Sequence, residues 1–353
     1  MDNIRDSKTG KTIYTHYSEY FDEAYYDYIE PIAKGELIPL RTSIKTEMDL
    51  LRGFLPTDHI TIAGRSGTGK TSRIIHLIKD IFNPVINPSF HDRVIVLYDS
   101  WEISGWRNAV KFISMSERMT YHDILNWDDR LTAEKLFKIK ALRDEFKNKP
   151  FFISEFPNTS DEWYARKKKI QKAYPNHLIV NVVDHTRLTS NENDESEKTL
   201  IDNFLKVAID QKKELKQINF FLSQMNRNIE FGVARKEIGN QLPIASDIYG
   251  SDMVYQASDI LMALHRPGMY ELQQFHYKGY DYMTGVTNDS NKDNLMVEVV
   301  LKQRNGDNGV LFLEHELEFN NFKDVDLSKI KREKEFDMNS LEPEFFKRAQ
   351  TKW

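Results

Sequence analysis

An eight-residue glycine loop is the feature that most constrains what this chain can fold into. Residues 64–71 read Gly-Arg-Ser-Gly-Thr-Gly-Lys-Thr and fit G-x-x-x-x-G-K-[ST], the P-loop pattern. In such a loop, successive backbone N–H groups cradle phosphates, the lysine reaches the β- and γ-phosphates, and the last hydroxyl is a ligand for Mg²⁺. The pattern requires a strand before the loop and a helix after it.

The flanking residues supply that setting. His59–Ala63 is an apolar run typical of a short buried strand, and apolar residues recur at helical spacing over 72–82. A helix starting at the loop directs its N-terminal dipole at the phosphates. The alternative, a glycine turn with an unrelated lysine, fits this context poorly. We therefore predict a nucleotide site at Gly64, Arg65, Ser66, Gly67, Thr68, Gly69, Lys70, Thr71 and Ser72.

Composition excludes several other classes of protein. The chain has 353 residues, 40% of them hydrophobic, which is enough for a sizeable core. It contains no cysteine, so disulfides, thiolate zinc sites and cysteine nucleophiles are excluded. The net charge of −5 gives no global basic field for nucleic acid. No signal-peptide core or membrane-length apolar stretch is present. We expect a cytoplasmic protein without a membrane partner, in a bacterium or a phage-infected host cell.

Apolar runs alternate with amphipathic stretches from about 40 to 320, which predicts an α/β fold with a central, mostly parallel sheet flanked by helices. The predicted strands are His59–Ala63, Arg93–Tyr98, Pro150–Ser154, Leu178–Val183, Asn219–Ser223, Asp259–His265 and Leu295–Lys302. Two Asn-Gly pairs within 303–309 predict a β-hairpin at that point.

The N-terminal segment is predicted to form a separate amphipathic helix over about 16–30. Aromatic and aliphatic residues follow helical spacing from Tyr17 to Ile29, Pro31 ends the run, and the opposite face is acidic. This stripe packs either on the chain's own domain or on a neighbouring subunit, and the pattern favours neither.

Hydrolysis of a nucleoside triphosphate needs a carboxylate on the Mg²⁺ side and an activated water. Leu178–Asp184 is an apolar strand ending in an aspartate, so Asp184 is predicted to order the Mg²⁺ shell beside Thr71. His185 follows instead of a glutamate, and the water-activating carboxylate is expected elsewhere. Glu102, just after the strand Arg93–Tyr98, is the candidate, with Asp99 as its local competitor.

Three further polar residues complete the predicted machinery. Gln224 ends the strand Asn219–Ser223 and could sense the γ-phosphate, although a satisfied amide at a strand end is the plainer reading. Lys302 and Arg304 flank the turn of the predicted hairpin. On a projecting hairpin, they are placed to reach a neighbour's site as an arginine finger in trans. A solvated basic hairpin is the alternative.

Five stretches together resemble the motor domain of DnaB-family replicative helicases. They are Ile38–Pro56 with the P-loop, Asp99-Ser100-Trp101-Glu102-Ile103-Ser104, Val182-Val183-Asp184-His185-Thr186-Arg187-Leu188, Leu222-Ser223-Gln224-Met225-Asn226-Arg227, and Lys302-Gln303-Arg304-Asn305-Gly306. Their order and spacing agree with the family over about 38–322. The resemblance implies a RecA-like P-loop fold, Glu102 as catalytic base, and Lys302 and Arg304 acting in trans.

The resemblance also implies ATP and Mg²⁺ as cofactors, a hexameric ring on single-stranded DNA, and a linker helix docked on the adjacent subunit. A primase or loader is a further implied partner. The implied organisation is an N-terminal segment over 1–37, a motor domain over 38–322 and a charged tail over 323–353. Only about 35 residues precede the motor domain, so we expect a phage or mobile-element version without the family's N-terminal helical domain.

The DNA-binding loop departs from the family pattern Asp-Leu-Arg-Glu-Ser-Gly. Here it reads Asp247-Ile248-Tyr249-Gly250-Ser251-Asp252, so the arginine position holds Tyr249. Backbone N–H contacts to phosphate are expected to survive at Tyr249, Gly250 and Ser251, but the charge is lost. Arg235 and Lys236, in an upstream loop, could replace it.

The leading hypothesis is therefore an ATP-dependent, ring-forming replicative DNA helicase. A nucleotide-binding ring or scaffold that has lost unwinding is the alternative, motivated by the altered loop and the missing domain. A recombinase-type or clock-type RecA-like ATPase is a third reading, against which the 302–306 hairpin argues. A small-molecule kinase is the weakest reading, because no acceptor site is evident in the sequence.

Overall fold

A computed structural model describes residues 3–10, 12–125, 131–185, 196–226, 242–286, 292–326 and 330–332. The chain begins with a small hairpin, β1 (Ile4–Arg5) and β2 (Thr12–Tyr14). The helical segment, expected over about 16–30, runs on to residue 33 as α1 (Tyr17–Glu23), a π-helical turn (Ala24–Ile29) and α2 (Glu30–Ala33). Pro31 does not end it. The wider π turn precedes the proline, which has no N–H and crowds the carbonyl before it in a regular α-helix.

A nine-stranded sheet forms the body of the protein. Its strands are β3 (His59–Gly64), β4 (Val94–Ser100), β5 (Phe151–Ser154), β6 (Leu178–Asp184), β7 (Ile218–Gln224), β8 (Ile260–His265), β11 (Leu295–Gln303), β12 (Gly309–Glu316) and β13 (Asn321–Asp324). Their spatial order is β13-β12-β11-β8-β3-β7-β6-β4-β5. All seven strands predicted from the sequence lie in this sheet.

The six strands from β8 to β5 are parallel, whereas β11, β12 and β13 add antiparallel pairs at one side. The mostly parallel sheet and the β11–β12 hairpin predicted from the Asn-Gly pairs are thus confirmed. Because parallel strands end at a common edge, the residues that follow β3, β4, β6 and β7 meet there.

Helices cover both faces of the sheet. They are α3 (Lys45–Leu51), α4 (Lys70–Ile81), α5 (Gly105–Glu117), α6 (Tyr121–Leu125), α7 (Ala133–Phe146), α8 (Ser160–Ala173), α9 (Glu197–Leu215) and α10 (Ser251–Ala257). One core cluster packs α3, α4 and α5 on the sheet, and a second packs α8, α9 and α10 on the opposite face. A satellite sheet joins β9 (Gln274–Tyr277), β10 (Tyr280–Met283) and β14 (Ile330–Arg332). Within the described ranges, no helix is long and apolar enough to cross a membrane.

A buried charge cluster ties α4 to both of its neighbours. The Arg73 guanidinium lies 2.5 Å from Glu47 on α3 and 3.3 Å from Glu298 on β11, and all three side chains are nearly inaccessible to solvent. Burial raises the pKa of Glu298 to about 7, although Arg73 opposes the shift. Arg73 therefore compensates two carboxylates inside the core, and removing it leaves both without a counter-charge.

We predict that Arg73→Met lowers the free energy of unfolding by about 3–5 kcal/mol at pH 8. The deficit shrinks at pH 6, because the orphaned carboxyl groups take up protons and lose their buried charge. Urea unfolding at both pH values measures it. Lys79→Met, on the exposed side of the same helix, is the control and should change stability by less than about 0.5 kcal/mol. Equal stability of Arg73→Met and wild type would contradict the role of this cluster.

Candidate functional site

The glycine loop joins β3 to α4 at the carboxyl edge of the sheet. Gly67 and Gly69 have φ angles of +79° and +102°, a region that side-chain-bearing residues avoid. A Cβ on Gly69 would also lie 2.7 Å from a methyl group of Leu317. Arg73 N donates to Gly69 O, so the N–H groups before it, in the first turn of α4, lack helical acceptors. The loop thus has the shape and the N–H donors of a phosphate cradle.

Lys70 points back into the loop that precedes it. Its Nζ donates to Gly64 O at 2.9 Å and to Arg65 O at 3.1 Å. Burial lowers the pKa of Lys70, and the carboxylates of Asp184 and Glu102 oppose this shift. The ammonium group is therefore held inside the cradle, close to both predicted carboxylates.

Thr71 and Asp184 meet, as predicted for a shared Mg²⁺ site. Thr71 Oγ1 donates to Asp184 Oδ2 at 2.9 Å, and the hydroxyl of Tyr98 on β4 donates to the same oxygen at 3.0 Å. Burial raises the pKa of Asp184, while these two hydrogen bonds oppose the shift. Tyr98 was missed by the sequence reasoning. Tyr98 lies close to Asp184 because β4 pairs with β6 and Ser100 is in register with Asp184. This contact can be predicted only if β4 and β6 are known to be neighbours.

Glu102 and Asp99, the two candidates for water activation, are in different environments. Glu102 Oε2 lies 3.4 Å from His185 Nε2, and its side chain is half exposed. Asp99 is buried and accepts from Trp163 Nε1 at 2.9 Å and from Lys167 Nζ at 2.7 Å. Asp99 is thus occupied by an internal ion pair, which leaves Glu102 as the accessible carboxylate beside the loop.

The donor set fits ATP with Mg²⁺. Thr71 Oγ1 and one carboxylate, Asp184, are oxygen ligands of the type that Mg²⁺ takes when substrate phosphates and waters complete its shell. The described part of the chain contains no group of three or more histidine, aspartate or glutamate side chains that could hold a metal ion. The hydroxyl of Ser72 has an internal acceptor, because it donates to Asn320 Oδ1 at 2.8 Å. Only its backbone N–H is left for phosphate.

Gln224, at the end of β7, is paired in register with Gly64, where the glycine loop begins. The next residue continues this link, since Met225 N donates to Gly64 O at 3.3 Å and Arg65 Nη1 donates to Met225 O at 3.0 Å. On the other side, Tyr249 N donates to Gln224 O at 3.0 Å. The end of β7 is therefore bonded both to the glycine loop and to the segment before α10.

That segment contains two of the predicted DNA-binding residues, Tyr249 and Gly250, and the prediction for Tyr249 needs correction. Both the N–H and the hydroxyl of Tyr249 have internal partners, since the hydroxyl donates to Glu197 Oε2 at 3.0 Å. Its backbone N–H is thus committed to Gln224 rather than available for phosphate. Gly250, with φ of +68°, caps α10. Arg235, Lys236 and the side chain of Ser251 lie outside the described residues.

The structure does not bring Lys302 and Arg304 to the glycine loop of their own chain. β11 is antiparallel to β8, so Gln303 pairs with Ile260 at the start of that strand, whereas Gly64 pairs with Leu264 near its end. These levels are four residues apart, about 13 Å along the strands, with a further strand spacing across the sheet. Lys302 and Arg304 therefore lie toward the opposite edge.

Arg266 was not identified from the sequence. It follows β8 and donates through Nη1 to Gly67 O at 2.6 Å and through Nη2 to Asp293 Oδ1 at 2.6 Å. An arginine that follows a strand matches no known sequence motif. Its contact with the glycine loop depends on β8 lying beside β3, which the sequence does not show.

The chain is similar to curated helicases. It is 25% identical over 280 residues to a probable replicative DNA helicase of Trieres chinensis, covering 78% of this chain and 55% of that protein. It is 24% identical over 327 residues to the replicative DNA helicase DnaB of Geobacillus stearothermophilus, covering 90% and 62%. The chain thus spans about three fifths of the length of these relatives.

Solved structures share the fold. One of them, described as an ATPase domain, superposes with a TM-score of 0.71 at 18% identity, over 88% of this chain and 99% of that one. A DnaB-like replicative helicase, described with its interactions with primase, gives a TM-score of 0.69 at 18% identity, over 91% and 69%. Residues 40–324 match the family model of the DnaB-like helicase C-terminal domain, and the chain therefore belongs to that family.

Proposed function

We propose that this chain is an ATP-driven motor that assembles as a ring, expected to be hexameric, translocates on single-stranded DNA and unwinds duplex. The observation that carries the proposal is the separation of Lys302 and Arg304 from their own glycine loop. Charge that develops on a transferred phosphoryl group needs cations positioned beside it. A neighbouring subunit can present this hairpin to the loop, which makes ATP turnover dependent on assembly.

In this proposal, each residue of the loop edge has a separate task. Bound Mg²⁺, held by Thr71 and Asp184, would neutralise phosphate charge. Lys70 leaves the carbonyls of Gly64 and Arg65 to contact the β- and γ-phosphates. Glu102 accepts a proton from the attacking water, with His185 beside its carboxylate. Gln224 senses the γ-phosphate, and its backbone bond to Tyr249 carries the change toward the DNA-binding segment.

The N-terminal helical segment supports assembly. None of its residues is buried, and its exposed apolar side chains are Tyr17, Tyr20, Phe21, Tyr25, Tyr26, Ile29 and Ile32. Its acidic face is the one that meets the chain's own body, where Lys216 lies 2.9 Å from Glu23 and 3.1 Å from Asp27. These seven side chains stay exposed in the described part of the chain, so we propose that they dock on the next subunit.

A groove of matching character lies between α5, α7 and β5. Its volume is about 620 Å³, and its lining is almost entirely apolar, including Phe112, Ile113 and Ile139. The charged side chains at this groove, Lys140 and Arg143, are cationic, which suits the exposed carboxylate of Asp22 on this segment. We propose that the segment 17–33 of one copy occupies this groove on the next.

We predict that Glu102→Gln binds ATP but hydrolyses it at least about 10²-fold more slowly, because the general base is lost. Steady-state ATPase rates, with nucleotide binding measured separately, check this. Glu134→Gln, which removes an exposed carboxylate from α7, should match wild type. Turnover by Glu102→Gln at the wild-type rate would remove this residue from the mechanism.

Arg304→Ala mixed into wild-type protein should poison ATPase activity beyond its share of the subunits, because each variant subunit also disables its neighbour's site. A titration of the mixing ratio measures this. Arg93→Ala, which changes an exposed arginine at the start of β4, should have no such effect. A strictly proportional fall in rate would argue against action in trans.

Tyr17→Ala with Phe21→Ala should raise the protein concentration at half-assembly at least about tenfold, since two aromatic anchors are lost from the interface. Sedimentation velocity with an ATP analogue measures the shift. The control is Val85→Ser, which changes an apolar residue that lies outside the N-terminal segment and is 88% exposed. Unchanged assembly in the double variant would place the docking surface elsewhere.

DNA-dependent ATPase and unwinding assays separate the helicase from the scaffold alternative. Stimulation by single-stranded DNA together with unwinding is the expected result. Nucleotide-dependent assembly without either activity would instead support a scaffold.

A further inference from the structure

Helix α10 lies between the two parts of the proposed machinery. Just before it, the segment 245–250 is bonded to the end of β7, where Tyr249 N meets Gln224 O and Asn226 N donates to Asp247 O at 2.7 Å. Just after it, the chain enters β8 beside β11, which carries Lys302. One end of α10 is therefore linked through the end of β7 to the subunit's own glycine loop. The other end lies beside the hairpin that is proposed to act on the neighbour's ATP.

The C-terminal carbonyls of α10 are capped by the hairpin cations. The last four carbonyls of a helix have no helical N–H partner. Lys302 Nζ donates to Tyr255 O at 2.5 Å, and Arg304 Nη2 donates to Gln256 O at 2.9 Å. Cations at this position also meet the negative end of the helix dipole. Lys302 and Arg304 thus satisfy two carbonyls that the helix itself leaves without a donor.

Each cation has a second contact that holds it at α10. The Lys302 ammonium lies 4.7 Å from the ring centroid of Tyr255, within the range of a cation–π interaction. Arg304 Nε lies 3.0 Å from Asp259 Oδ1. The other carboxylate oxygen of Asp259 binds Lys212 and accepts from His59 N. Asp259 is thus anchored in the fold, whereas the Tyr255 ring is partly exposed and lies beneath Lys302.

We propose that the C-terminal end of α10 is the resting dock of Lys302 and Arg304, and that Tyr255 is a positioning residue that sets how readily they leave it. This rests on the proposed function, in which both cations act on the neighbour's ATP. The terminal atoms that bind Tyr255 O and Gln256 O are the same ones that would contact a phosphate on the next subunit. Docking on α10 and engagement of that phosphate therefore exclude each other.

This competition couples the stability of α10 to the nucleotide state of the neighbouring subunit. When the cations move to the neighbour's ATP, α10 loses its cap and its last turn weakens. When phosphate leaves the neighbour's site, the cations return and the helix is capped again. Because α10 starts at Ser251, directly after its N-cap Gly250 in the predicted DNA-binding segment, its stability links the neighbour's nucleotide state to DNA contact. Gln224 supplies the corresponding link for the subunit's own nucleotide.

Tyr255→Leu and Tyr255→Phe form a matched pair for testing the dock. Leucine removes the ring face but leaves the backbone carbonyl, so Lys302 should leave α10 more readily. The expected result is an ATPase rate without DNA that is about 2- to 5-fold higher than wild type, the factor corresponding to an exposed cation–π contact. The rate at saturating oligo-dT should stay unchanged. Tyr255→Phe keeps the ring and should restore the wild-type rate without DNA.

The outcomes separate this inference from the proposed function. A DNA-free rate in Tyr255→Leu equal to that of wild type, or an equal rise in Tyr255→Phe, would overturn the dock while leaving the trans mechanism intact. Strictly proportional loss of activity on mixing with Arg304→Ala would instead overturn the trans mechanism, and the role of Tyr255 in it would fall as well.

A second measurement tests the dock without nucleotide or DNA. Amide hydrogen exchange over 254–258 should be several-fold faster in Lys302→Met with Arg304→Met than in wild type, because the helix cap is lost. Exchange over α9 serves as the internal control for the fold. Equal exchange over 254–258 in the two proteins would show that neither cation stabilises α10 and would overturn the inference directly.

Discussion

In the central sheet, β11 runs against β8, whereas β8 and the strands beyond it run in one direction. This change of direction sends the turn after β11 toward the edge opposite the one where β3 and its parallel neighbours end. The glycine loop, Asp184 and Glu102 gather at the first edge, and Lys302 and Arg304 are carried toward the other. The residues proposed to act on one ATP therefore lie toward opposite edges of the sheet, which is why the proposal requires a neighbouring copy.

Several charged side chains are buried in the interior, and each forms an ion pair that joins two elements of the fold. Arg73 holds two buried carboxylates and ties α4 to α3 and β11, so the helix behind the glycine loop is fixed to the sheet. Asp99, paired with Lys167, does the same for the end of β4 and α8. Pairs of this kind are costly to break because the remaining charge has no compensation. These buried pairs lie behind the loop edge, while the cations at α10 are held by partly exposed contacts.

Much of the fold and of the loop edge was predictable from the sequence. Every predicted strand lies in the main sheet, because each is a short apolar run bounded by turns, and the Asn-Gly pairs indicated the hairpin. The place of Asp184 at the loop edge was predictable because it ends an apolar strand. Tyr98 and Arg266 were missed, because their contacts depend on which strands are neighbours, and strand order is not encoded in local pattern. The continuation of the helix past Pro31 was also not predicted, because a π turn is not recognisable from the periodicity of apolar residues.

Tyr249 shows the limit of reading a motif residue by residue. Its position in the loop predicted an exposed backbone N–H, yet the segment pairs with the end of β7 and uses that group internally. The same pairing gives the loop its mechanical link to Gln224. A residue that looked like a weakened DNA contact is thus part of the connection between the nucleotide site and α10.

We propose that each ATP site is completed by the hairpin of the next subunit. Electron microscopy of the protein with an ATP analogue, Mg²⁺ and oligo-dT tests it most directly. We expect a closed assembly in which Arg304 of one subunit lies within hydrogen-bonding distance, about 3 Å, of the γ-phosphate on its neighbour. An assembly in which Arg304 stays on Asp259 and Gln256 of its own subunit while the analogue fills every glycine loop would contradict it.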